Sequence, residues 1–436
     1  MLIEFKVKNF LSFKEEAVLS MIASSITENK ENVLPEKQGF KLLKSAVIYG
    51  ANSSGKSNLF GAMYFMRWFV INSSKESQVG EKIPAEPFRL SPPTDHLGLL
   101  HNAPSSFEIT FIQDGIPFRY GFSTTQSEIV EEWLFYRPKT KEIRLFERKG
   151  STINIHSSRF KEGKGLENKD QERTRANALF LSVVAQWNGA LSKGVIAWFQ
   201  SLAIISAKDD SGYMDASLNM LQDEQHKTRT LGLLQSMGIN IDELTPKLIK
   251  GDTIKMPQNI PDELRKKVLE NVFLRLQVTK KRFDQDGKEA GSISWDFDIE
   301  SEGTKKLIGL SGPIFNALDQ KRVLVIDEFD TRLHALMSRA LISLFHSTHT
   351  NQDSAQLIIA THDTNLLSGD LFRRDQIWFI EKDRVEASNL YSLVEYKGEN
   401  GRSIRKDAEY EKNYIAGKYG AIPYINTDNL SSLLAE

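Results

Sequence analysis

The chain has no cysteine among its 436 residues, which excludes disulfides, thiolate metal sites and cysteine nucleophiles and suits a reducing cytoplasm. It also lacks an excess of either charge. Lys and Arg number 56 against 57 Asp and Glu, so no whole-molecule field steers it toward nucleic acid, and any phosphate contact must come from a local patch. Nowhere do apolar residues run for the roughly 18 positions that a membrane span needs. The opening Met1–Phe13 mixes charges among its apolar residues, unlike a signal peptide. What is present, 40% hydrophobic and 26% charged residues, is the composition of an ordinary folded protein. The length predicts one large domain with an inserted subdomain, or two domains.

Leu2–Phe10 alternates apolar and polar residues, the period of a half-buried strand. Lys44–Tyr49 predicts a buried strand, Gly50–Gly55 a glycine-bounded loop and Ser57–Val70 a helix. Phe107–Glu147 reads as an antiparallel sheet with a turn at Asp114-Gly115, and Lys149–Thr174 as an exposed, charge-rich connection. Helical spacing over Arg175–Ile205, Asp215–Gly238 and Pro261–Glu270 predicts a helical insertion. Phe273–Phe283 and Ser292–Ile299 form a hairpin around Asp286-Gly287. Beyond it, helical Thr304–Leu318 and Leu333–His346 alternate with strands Arg322–Ile326, Gln356–Ala360 and Gln376–Ile380, the pattern of a parallel α/β sheet. The expected division is 1–148 and 273–390 for a split α/β head, 149–272 for the insertion and 391–436 for a tail.

Gly50-Ala51-Asn52-Ser53-Ser54-Gly55-Lys56-Ser57 satisfies GxxxxGK[ST] at every fixed position, and lies between strand and helix. Backbone N–H groups of such a loop wrap a nucleotide's phosphates, Lys56 reaches the β- and γ-phosphates, and Ser57 ligates Mg²⁺; Asn58 follows in the first helical turn. The strand Val323–Ile326 ends in Asp327-Glu328, where buried charge needs a task. Asp327 is placed for Mg²⁺ and Glu328 for the attacking water. Leu357–Ala360 ends at Thr361-His362, which places His362 to contact a γ-phosphate. The less specific alternatives are a glycine turn, a solvated loop and a structural histidine.

These motifs together resemble the ABC-type ATPases, and Glu300-Ser301-Glu302-Gly303-Thr304 is similar to their signature motif, departing from it at Glu302 and Thr304. The resemblance implies a P-loop NTPase of ABC/SMC-head type, in which Ser301 and Gly303 meet the γ-phosphate held by a second protomer. A plain helix N-cap is the alternative reading of Ser301. Asp330–His334 resembles the D-loop, or simply starts a helix; Gln113 and Gln126 are both available as a glutamine-loop residue. The opening Phe5–Phe13 looks like the SMC/RecF/OLD branch. Pro87–Leu90, Asn177–Ser182 and Asp407–Pro423 resemble the RloA/AbiLi-like bacterial ATPases. That resemblance implies a dimeric, phage-defence ATPase using ATP and Mg²⁺ beside a separate RloB-like, nuclease-related effector. A DNA-binding repair or chromosome-organising ATPase is the alternative, with Lys280-Lys281-Arg282 and Arg159–Arg175 as candidate phosphate contacts. Tail tyrosines such as Tyr414 and Tyr419 suggest either a docking surface or packing on their own domain.

Overall fold

A computed structural model describes residues 1–76, 78–90, 103–167, 173–206, 211–250, 272–352, 354–398 and 401–423. The chain forms two compact units: residues 1–207, 320–329 and 339–436 make the first, and residues 208–319 and 330–338 the second.

The first unit contains two sheets. Strand β3 (Ser45–Tyr49) lies in a six-stranded sheet with β9 (Ala203–Ile205), β13 (Val323–Ile326), β14 (Gln356–Ala360), β15 (Ile377–Lys382) and β16 (Ser388–Ser392). The order is β16-β15-β3-β14-β13-β9, with every pair parallel except β15 with β16. An early strand is thus flanked by two from the last third of the chain. Both β3 and β14 are buried along their whole length, as a two-sided α/β sheet requires.

The second sheet is antiparallel: β1 (Leu2–Lys8), β2 (Ala17–Ser20), β4 (Ser105–Gln113), β5 (Ile116–Thr124), β6 (Ile129–Tyr136), β7 (Ile143–Lys149) and β8 (Thr152–Ile155), in the order β2-β1-β4-β5-β6-β7-β8. Its turn at Asp114-Gly115 has both residues at positive φ, 50° and 77°, as a tight hairpin demands. Helix α1 (Lys56–Asn72) packs Phe65 and Phe69 against Phe107 and Phe122 of this sheet, with ring centroids 5.0–6.5 Å apart.

The segment expected to be an exposed connection, Lys149–Thr174, is exposed over most of its described residues but differs from that reading in part. It contains β8, and Phe160, Leu166 and Thr174 are buried. Arg159, Lys161, Lys164 and Arg173 are exposed, but one of its charges serves internal structure. Glu162 accepts hydrogen bonds from Leu191 N and Ser192 N and caps α3 (Ala190–Ser201). Glu132 does the same for α2 (Phe180–Gln186), accepting from Phe180 N at 2.7 Å and Leu181 N at 3.0 Å. Consequently the expected 149–272 insertion divides: its part through Ala207 belongs to the first unit.

The second unit contains helices α4 (Ser211–Met220), α5 (Glu224–Ser236) and α6 (Glu302–Asp319) and the antiparallel sheet β10 (Glu243–Lys250), β11 (Val272–Phe283) and β12 (Glu289–Asp296). The hairpin around Asp286-Gly287 forms as expected, whereas β10 is a strand inside the 149–272 segment that was expected to be a helical insertion. Pro261–Glu270 lies outside the described residues. Helix α7 (Ala335–His346) follows Asp330–His334, and α8 (Tyr410–Ile415) belongs to the tail. Among the described residues no helix is long and apolar enough to cross a membrane.

Candidate functional site

Because β3, β14 and β13 are parallel neighbours, the residues that follow them emerge at one edge of the sheet. These are Gly50 after β3, His362 after β14, and Asp327 and Glu328 after β13. The structure therefore gathers the phosphate-loop motif, both carboxylates and the histidine at one edge of the first unit.

The loop is tightly built. Gly55 caps α1 at φ 115°, and a Cβ there would run into the Ser388 and Ser12 hydroxyls. A Cβ on Gly50 would meet the Ile380 carbonyl and Ser54. Lys56 is buried; its Nζ donates to Gly50 O at 2.8 Å and Ala51 O at 3.0 Å, lying across the loop. Asn52 and Ser53 are exposed at its tip, Ser53 at φ 63°. Ser54 Oγ is buried and finds no hydrogen-bond partner among the described residues. The loop thus offers an orphaned hydroxyl, a cation and a glycine-lined cradle at a helix N-terminus, a donor set that suits a polyphosphate.

Two serines outside the motif fix this loop. Ser388 Oγ donates to Ser54 O at 2.6 Å and accepts from Ser12 Oγ at 2.7 Å, and Asn58 Nδ2 donates to Ser12 Oγ at 2.8 Å. Ser12 lies inside the Phe5–Phe13 block noted from the sequence, whereas Ser388 has no local signal, since only the pairing of β15 with β16 brings it here.

Asp327 is buried and accepts hydrogen bonds from the Ser57 hydroxyl and from Glu328 N at 3.1 Å. Burial pushes its carboxyl up, and the Glu328 charge adds to this, against the pull of the Ser57 hydrogen bond and the Lys56 charge. Ser57 and Asp327 together form a paired oxygen site suited to Mg²⁺, which keeps most of its shell for water and phosphate. Among the described residues no group of three or more acidic or histidine side chains forms a metal cage.

Glu328 is exposed and sits in the left-handed region, φ 47°. For a residue with a Cβ this costs about 1–2 kcal/mol. Its neighbours hold it there: Asp327 N donates to Ile205 O at 2.9 Å and Phe329 N to Ala360 O at 3.0 Å. The carboxylate is thereby turned out at the strand end on a fixed backbone.

His362 is exposed on a loop anchored by Thr361 N to Ile48 O at 3.2 Å and by Tyr49 Oη to Asp363 O at 3.2 Å.

Ser301 and Gly303 lie in the second unit. Ser301 Oγ accepts from Thr304 N at 3.2 Å, the N-cap geometry of α6. A Cβ on Gly303 would sit 2.9 Å from Arg332 O, and Glu302 pairs with Lys305 at 3.0 Å and Arg332 at 3.1 Å. The signature-like turn and the D-loop-like segment are therefore in contact. Of the basic residues considered for nucleic acid, Lys280 pairs with Glu300 at 2.9 Å and Lys281 with Glu289 at 2.7 Å, while Arg282, Arg159, Lys161, Lys164 and Arg173 are exposed. Tyr410, Tyr414 and Tyr419 are buried in their own unit, as the packing alternative expected.

A family model described as "AAA domain, putative AbiEii toxin, Type IV TA system" matches residues 45–368. No curated protein sequence matches the chain. Among solved structures it is similar to an SmcHead bound to the C-winged helix domain of ScpA, with 12% identity over 90% of this chain and 97% of that one, TM-score 0.43. It is also similar to the SMC head domain from Thermotoga maritima, with 15% identity over 90% and 98%, TM-score 0.39. A third is the Smc head domain with an extended coiled coil bound to the C-terminal domain of ScpA derived from Pyrococcus furiosus, with 12% identity over 90% and 96%, TM-score 0.35. The family match runs through the phosphate loop, both carboxylates and the strand-borne histidine, and the chain belongs to this family of AAA-type ATPase domains.

Proposed function

We propose that the chain binds MgATP in the loop Gly50–Ser57 and hydrolyses it as a head-to-head dimer, acting as the cytoplasmic switch of a bacterial defence system with a separately encoded, nuclease-like effector. The observation that carries the catalytic reading is Glu328. It is held in a costly backbone conformation between two strand-anchored amides, at the sheet edge where the phosphate loop begins.

In this reading Gly50, Asn52, Ser53, Ser54, Gly55 and Asn58 shape and line the loop, and Lys56 leaves its two carbonyl acceptors for the phosphates. Mg²⁺, held by Ser57 and Asp327, supplies neutralisation of phosphate charge. Glu328 orients water for in-line attack and His362 contacts the γ-phosphate. Ser301 and Gly303 complete the site of the opposing protomer. A cavity of about 440 Å³ beside Asn58 and Ser12, lined also by Phe88 and Arg89, is the place for the nucleoside. The defence role is supported by the toxin–antitoxin system in the family's description and by the RloA/AbiLi-like blocks, of which Pro87–Leu90 lines that cavity.

Glu328→Gln tests this reading. The variant is expected to retain ATP, lose turnover by about 100-fold or more and move to twice the protomer mass with MgATP. Turnover at the wild-type rate would remove Glu328 from the catalytic role.

A further inference from the structure

The tail α8 and the turn after it have no part in the reaction just described, yet they touch the loop that carries His362. Thr364 Oγ1, two residues beyond the histidine, donates to Glu411 Oε1 of α8 at 3.0 Å. One turn later on α8, Tyr414 packs on Tyr49 with ring centroids 5.7 Å apart. Tyr49 is the last residue before the phosphate loop, and it donates to Asp363 O.

The tail is itself well anchored. Tyr414 Oη donates to Ala421 O at 3.0 Å, Ala421 N donates to Glu381 Oε2 at 2.9 Å, and Tyr391 Oη donates to Tyr419 O at 2.7 Å. Phe379 of β15 lies among Tyr414, Tyr419 and Tyr391, with centroids 5.4–5.8 Å away. Hence Glu411 and Tyr414 are carried on a rigid element, Glu411 reaching the Thr364 hydroxyl in the His362 loop and Tyr414 the Tyr49 ring just before the phosphate loop. Within the His362 loop, Asp363 Oδ1 accepts from Asn365 N at 3.0 Å, so the loop's shape is held locally while its position is set from outside by Tyr49 and Glu411.

We propose that α8 is a positioning element for the histidine loop: Glu411, through Thr364, and Tyr414, through Tyr49, set where His362 stands relative to the phosphate loop. This rests on the reading of His362 as a γ-phosphate contact and extends it to the tail. Glu411 acts through another residue and touches no substrate. Its loss should lower the rate of the chemical step while leaving the affinity for ATP, which is set by the loop Gly50–Ser57.

The test is steady-state ATP turnover of the full chain for Thr364→Val, Glu411→Ala and the double variant, with Thr364→Ser and Glu411→Gln as conservative controls and His362→Ala alongside. One lost hydrogen bond corresponds to about a five-fold effect. Each disruptive variant is expected to lose about that factor in kcat with KM within about two-fold, and the double variant should be no worse than either single one. The two controls, which keep the donor and the acceptor, should return to the wild-type rate. Unchanged kcat in Thr364→Val and Glu411→Ala, or a failure of the controls to restore it, overturns the proposal. If His362→Ala is impaired while the Thr364 and Glu411 variants are not, only the positioning role falls. Wild-type turnover in His362→Ala removes the histidine reading together with it.

Discussion

Ser45, at the start of β3, and His346, at the end of α7, meet at 2.7 Å through Oγ and Nε2, while Lys44 Nζ donates to the His346 carbonyl at 2.7 Å. Burial, with the Lys44 charge second, pushes the His346 imidazole down to about 3 from 6.5. The folded state thus binds this proton less readily than the unfolded chain. The stabilisation is fully present above about pH 6.5 and is lost as pH falls toward about 3, at about 1.4 kcal/mol per pH unit. His346→Gln should flatten this dependence, which urea midpoints at about pH 7 and about pH 5 would reveal. Chemistry of this kind was partly legible in the sequence. The phosphate loop, Asp327-Glu328 and His362 could be read because local spacing defines them. His346, seen in the sequence only as the end of the expected helix Leu333–His346, could not be assigned its buried neutral role, because Ser45 and Lys44 lie some 300 positions away. Ser388 was invisible for the same reason.

Among the elements, helices α2 and α3 are each capped by a carboxylate from outside the helix, Glu132 and Glu162. Glu132 is fully buried, accepts the Tyr120 hydroxyl at 3.0 Å and has Arg148 at 3.9 Å. Arg148 spends its other donors on the Gly150, Ala178, Arg175 and Ala176 carbonyls. Glu132→Ala leaves that guanidinium and two helix amides uncompensated, and should destabilise the first unit by about 3 kcal/mol in chemical unfolding. Glu132→Gln, which keeps an acceptor, should lose less. These caps give the Asn177–Ser182 block a physical meaning that its sequence alone did not carry. They also explain why the role of Glu162 within the otherwise exposed Lys149–Thr174 was not read: a charge that caps a distant helix and a charge in water look alike in one dimension. Strands fared better, since alternation in Phe107–Phe111 and the Asp114-Gly115 turn are local facts.

At the scale of the whole molecule, the phosphate loop and the signature-like turn belong to different compact units, and in the proposed dimer each site draws one from each protomer. Mixing Lys56→Ala with Gly303→Glu chains should then restore activity that neither has alone, up to roughly a quarter of wild type, because half of the dimers are mixed and each of these has one intact site. Activity of the mixture no greater than the average of its parts would count against shared sites. The order of strands has a consequence of another kind. The loop Gly50–Ser57 leaves the ribosome early, but β3 takes its hydrogen bonds from β14 and β15, and the Ser54 carbonyl takes its own from Ser388. Nascent chains that end before β14 therefore display a complete nucleotide motif with no sheet to hold it. A chain that stops before β14 is therefore expected to carry the motif without the sheet and the Ser388 hydroxyl that fix its shape, and so to lack an ordered phosphate loop.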